Sequence, residues 1–69
     1  MYLNIEAERK RNGLSQEEFV EKINISRKSY YNWQLKENFP SVVLVRMSNL
    51  FNCSIDYLLG LKTTPNIEN

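Results

Sequence analysis

The chain has 69 residues, enough for one small domain whose helix packing alone gives marginal stability. Its one cysteine, Cys53, and its lack of histidine exclude an internal disulfide and leave too few soft ligands for a zinc site. Net charge is only +1, yet residues 9–36 hold seven basic against three acidic groups (+4), and the remainder two against five (−3), so only that stretch suits a polyanion.

Apolar residues recur at helical spacing, which predicts an all-α chain of five helices. The first covers about 4–12, with Glu6 and Glu8 early and Arg9, Lys10 and Arg11 late, as the helix dipole favours. Gly13 supplies its left-handed stop. Ser15 and Glu18 then form an S-x-x-E capping box, and Leu14 and Phe19 occupy the hydrophobic-staple positions of a second helix that ends near Ile23. Asn24 suits a tight left-handed turn. Ser26 caps a third helix at once, with Ile25 and Tyr30 as a second staple, running to about Gln34. Helices separated by about three residues must cross steeply, which is helix-turn-helix geometry. Residues 35–40 read as a loop. A fourth helix over about 41–51 should bury Leu44, Met47, Leu50 and Phe51, with Ser48 on the same side, and Asn52 ends it. Ser54 caps a fifth helix that Gly60 closes. Residues 62–69 are polar, contain Pro65 and should fray, which confines the domain to 1–61.

On the third helix, 100° per residue separates Ile25, Tyr30 and Trp33 from Arg27, Lys28, Tyr31 and Asn32. The second set is chemically apt for base edges. Arg or Lys donates to guanine O6 and N7, Asn pairs with adenine, and a Tyr meets a thymine methyl or a phosphate. The same groups also suit a merely solvated face, and this helix alone does not choose between the two.

Three stretches carry a resemblance: Gly13-Leu14-Ser15-Gln16-Glu17-Glu18-Phe19, Ile25-Ser26-Arg27-Lys28-Ser29-Tyr30-Tyr31-Asn32-Trp33, and Phe51-Asn52-Cys53-Ser54-Ile55-Asp56-Tyr57-Leu58-Leu59-Gly60. In this order and spacing, over about residues 3–61, the chain resembles the phage Cro/repressor-type (XRE) helix-turn-helix family. The resemblance implies a compact five-helix, lambda-repressor-like fold with the third helix as recognition helix. It also implies transcriptional regulation, usually repression, by a homodimer on a palindromic operator. It assigns Gln16 to a phosphate at the start of the second helix and Ser26, Arg27, Lys28 and Asn32 to bases or adjoining phosphates. Tyr31 falls at a variable exposed position. Arg9 would lie near the DNA backbone, and Lys36 and Asn38 would approach phosphates from the loop.

The chain departs from the family pattern at four places. Val20 stands where alanine is common, predicting slightly wider helix spacing, offset by Ser29. Asn24 replaces a turn glycine. Gln34 replaces a glutamate that pairs with the helix 1 arginine; it should hydrogen-bond Arg9 without neutralising it. Lys36 replaces a frequent glycine and leaves the loop path open.

Other functions find little support. Glu17 and Glu18 point about 100° apart and make no catalytic pair. With no histidine base and no phosphate-binding glycine loop, the chain is not expected to be an enzyme or to need a cofactor. The aromatic residues fall mostly at core spacing rather than as a base-stacking platform, and Cys53 reads as a buried structural thiol. No apolar run follows Met1-Tyr2 and the longest aliphatic run is Val42 to Val45, so neither leader nor membrane span is expected, and the setting is read as cytoplasmic. The alternative is a protein-interaction module of the same fold, antitoxin-like or an anti-repressor target, marked by an apolar recognition face. Ile55, Leu58 and Leu61, taken as uncovered, are the candidate dimer surface.

Overall fold

Polar caps fix most helix starts. In a computed structural model that describes residues 1–65, there are five helices and no strand among the described residues: α1 (Leu3–Arg11), α2 (Gln16–Lys22), α3 (Arg27–Lys36), α4 (Ser41–Phe51) and α5 (Ile55–Leu58). Ser15 Oγ accepts from the Glu18 amide at 3.1 Å while the Glu18 carboxylate accepts from the Ser15 amide at 3.0 Å, the expected capping box. Ser26 and Ser54 cap α3 and α5 from one side only, each hydroxyl accepting from the amide three residues on at 3.1 Å. None of the helices is long and apolar enough to cross a membrane.

Helix ends share one device. After each of the five helices a residue turns left-handed, and two successive amides reach back to the last turn, as in Gly13 to Lys10 and Leu14 to Arg9. Gly13 and Asn24 take this role as expected, with φ of 69° and 57°. Glu37 does so at φ 53°, although it carries the steric cost of a Cβ. The third helix therefore runs two residues past its expected end at Gln34, because Leu35 and Lys36 are good helix formers and Glu37 completes the stop. Lys36 thus belongs to the last helical turn and not to the loop.

The core gathers around Phe19, which is fully buried, stacks on Phe51 at 5.2 Å between centroids and meets Tyr30 edge-on at 5.4 Å. Ile5, Ile23, Met47, Cys53 and Leu58 fill the rest. On α4 the buried stripe is Val43, Met47 and Phe51, while Leu44 and Leu50 flank it half-buried, so the buried face is rotated slightly from the expected one. Arg46 reaches from α4 to donate to the Ile23 carbonyl at 3.1 Å, closing the open end of α2.

One expectation fails at the C-terminal end. Leu58 is 0% exposed, because a four-residue α5 wedged against α1 and α4 must turn one side chain straight into the core. It is therefore not part of any dimer surface. Ile55 is half-buried and Leu61 is exposed. In the described part of the tail, the Pro65 carbonyl accepts from the Ser54 amide at 3.1 Å. The rest of the expected tail, 66–69, lies outside the described residues.

Candidate nucleic-acid interface

Helix α3 divides cleanly. Tyr30 and Gln34, four residues apart, are buried on one side, while Arg27, Lys28, Tyr31, Asn32, Leu35 and Lys36 are exposed. The inward pair fastens the helix to α1. The Tyr30 hydroxyl donates to the Glu6 carboxylate, which also accepts from the Arg9 guanidinium at 3.0 Å. Gln34 accepts from the Tyr2 amide at 2.6 Å and donates to the Tyr2 carbonyl at 3.0 Å and to the Tyr30 hydroxyl at 3.2 Å. Tyr2 in turn donates its hydroxyl to the Glu37 carbonyl at 2.6 Å. Every polar atom of this inner face has a partner, which is what burial beneath a helix requires.

The electrostatics follow from that network. Burial by itself pushes the Glu6 carboxyl up, but hydrogen bonds from Arg9 and Tyr30 outweigh it and hold Glu6 below its ordinary range. Burial and the adjacent Glu6 push the Tyr30 phenol well above its ordinary value, so it stays a neutral donor. Hydrogen-bonding to Glu6 likewise raises Arg9.

Arg9 corrects one expectation. Its side chain is 12% exposed, paired with Glu6, and donates to the Leu14 carbonyl at 2.6 Å. It does not bond Gln34, whose amide is already engaged by Tyr2 and Tyr30. Its charge is paired with Glu6 within the fold, so Arg9 braces α1 against the turn after it.

The remaining expected residues stand as follows. Ser26 is exposed, with its hydroxyl engaged in the α3 cap. Arg27 and Lys28 open α3, and Tyr31 and Asn32 follow one turn later, all exposed. Gln16 is the first residue of α2 and lines, with Arg27, Lys28 and Tyr31, one cleft of about 410 Å³ floored by Val20 and Tyr30. Val20 itself is buried. Asn38 is exposed in the loop before buried Phe39.

The cations are used in two ways. Arg9 and Arg11 pair with Glu6 and Glu8, and Arg46 caps α2. Arg27, Lys28 and Lys36 have no hydrogen bond or ion pair within the described residues. The sequence reading missed Leu35, which lies one turn beyond Tyr31 on the same stripe and is equally exposed. Its i,i+4 spacing from Tyr31 was the available signal.

Two short helices joined by a tight turn, the second held from behind and carrying free cations in front, define a helix-turn-helix domain. The chain belongs to that family, whose helix-turn-helix domain model matches residues 3–63. It is 36% identical over 58 residues to the uncharacterized HTH-type transcriptional regulator YobD of Bacillus subtilis (strain 168), covering 83% of this chain and 52% of that protein. It is 40% identical over 53 residues to the HTH-type transcriptional regulator ImmR of the same organism, covering 75% of this chain and 42% of that protein. The chain thus spans about half the length of the curated relatives it matches. These relatives are named as regulators and not as enzymes. No solved structure matches the chain.

Proposed function

We propose that this domain is a sequence-specific binder of double-stranded DNA that regulates transcription in the cytoplasm, as a repressor, by setting the first turns of α3 in the major groove. The observation that carries the reading is the set of unpaired cations on α3. Arg27 and Lys28 stand at the front of α3 beside Asn32, and Lys36 at its end, none of them used to hold the protein together. In this reading Arg27, Lys28 and Asn32 meet base edges, while Gln16, Ser26, Lys36 and Asn38 meet phosphates along the rim. Relatives named as transcriptional regulators support the same reading.

A homodimer on a palindromic operator fits it, with two copies of α3 about 34 Å apart. Of the three residues expected at a dimer contact, exposed Leu61 and half-buried Ile55 remain available for it. Selection from a random duplex pool, followed by sedimentation of the protein with and without the winning duplex, tests both parts. A defined, inverted-repeat consensus bound by two copies is expected. Recovery of no preferred sequence would overturn sequence-specific binding, and a one-copy complex would overturn the dimer.

A further inference from the structure

We infer that Tyr31 and Leu35 form an apolar patch that reads thymine C5-methyl groups, an inference that rests on the DNA-binding reading above. Both residues are 64% exposed, and they lie one turn apart on the stripe of α3 that begins with Arg27. Unpaired Arg27, Lys28 and Lys36 surround them. An occupant of this face must therefore be a polyanion that also presents something apolar at its centre.

Duplex DNA meets both demands. Of the base edges in its major groove, only thymine offers an apolar group, its C5-methyl. Double-stranded RNA is a polyanion but fails the second demand, since uracil lacks the methyl and the A-form major groove is too deep and narrow for side chains. Leu35 sharpens the argument because it has no donor or acceptor and can read no polar edge. An acidic protein surface with an apolar centre is the competing occupant.

The geometry also sets a spacing. Side chains four residues apart on a helix are about 5–6 Å apart at Cβ. Stacked base pairs are about 3.4 Å apart. The two methyl groups should then sit about two base steps apart in each half-site, next to the pairs that Lys28 and Asn32 face.

The test takes the duplex selected from a random pool and replaces each thymine in turn by deoxyuridine, which removes the methyl and nothing else. Affinity is measured for the wild type, Leu35→Ala, Tyr31→Ala and Tyr31→Phe, with thermal unfolding of each as the check on folding. For the wild type, one or two positions should each lose about fourfold, the value of one buried methyl group. Leu35→Ala should become indifferent at one of these positions and Tyr31→Ala at the other, while Tyr31→Phe keeps the wild-type profile. A selected site without thymine, or a wild type indifferent to every replacement, overturns this inference alone and leaves the patch to a protein partner. A pool that yields no preferred duplex overturns the DNA-binding reading and this inference with it.

Discussion

Replacing Glu6 by Gln tests what holds α3 in place. Glu6 and Arg9 are 18% and 12% exposed, and Glu6 is also the acceptor for Tyr30. Breaking a fully buried pair by removing one partner costs about 3–5 kcal/mol, whereas an exposed pair is worth about 0–1 kcal/mol. At this exposure the cost lies nearer the buried limit. The Gln carbonyl still accepts from Tyr30, and Arg9 keeps the Leu14 carbonyl, which brings the expected loss to about 2–3 kcal/mol. For a domain of this size that corresponds to a fall in Tm of about 10–20 °C. The pH dependence gives a second reading. A carboxyl whose folded value is lowered from 4.5 contributes stability that is full above 4.5 and is lost as pH falls through the folded value. The gap between wild type and E6Q should therefore be full at about pH 7 and close in acid. Thermal unfolding by circular dichroism across that range measures it. A variant within about 0.5 kcal/mol of wild type, or a gap that stays constant into acid, would refute the argument.

Three other perturbations separate surface from scaffold. Lys36→Ala should weaken binding to all sequences alike and lower the salt-dependence slope by about one unit; a loss confined to one sequence would make Lys36 a base reader. Glu37→Gly removes the Cβ from a left-handed residue and keeps the carbonyl that Tyr2 donates to, so denaturation should show a gain of about 0.5–1 kcal/mol, and a loss would mean the conformation carries no strain. Burial, aided by Glu8, pushes the Cys53 thiol up to about 11, so the folded protein should resist thiol reagents at neutral pH until it unfolds; immediate labelling would contradict that placement.

The parts of this fold that were legible are those written in local chemistry. Ser15, Ser26 and Ser54 mark three helix starts because a hydroxyl one residue before a helix has few other uses. The outward set on α3 followed from angular spacing alone, and Arg27, Lys28, Tyr31 and Asn32 are exposed accordingly. What was hidden depended on partners distant in sequence. Arg9 was matched to Gln34 because Glu6 seemed to serve only the helix dipole, and nothing local indicated that Tyr30 would meet Glu6 from another helix. Gln34 was consumed by Tyr2, 32 residues away. Leu58 looked uncovered because the spacing within a one-turn helix cannot tell a core position from a docking one. Leu35 was lost when the end of α3 was placed too early, since a left-handed glutamate is a rare stop.

The central claim is that the exposed face of α3 meets the bases of duplex DNA. Affinity of Arg27→Ala and Asn32→Ala for the selected duplex and for single-base variants of it, with unfolding monitored alongside, tests this most directly. Each substitution should cost about 1–3 kcal/mol on the selected sequence, relax the preference at one base pair and leave Tm unchanged. Wild-type affinity and wild-type base preference in both variants would contradict it.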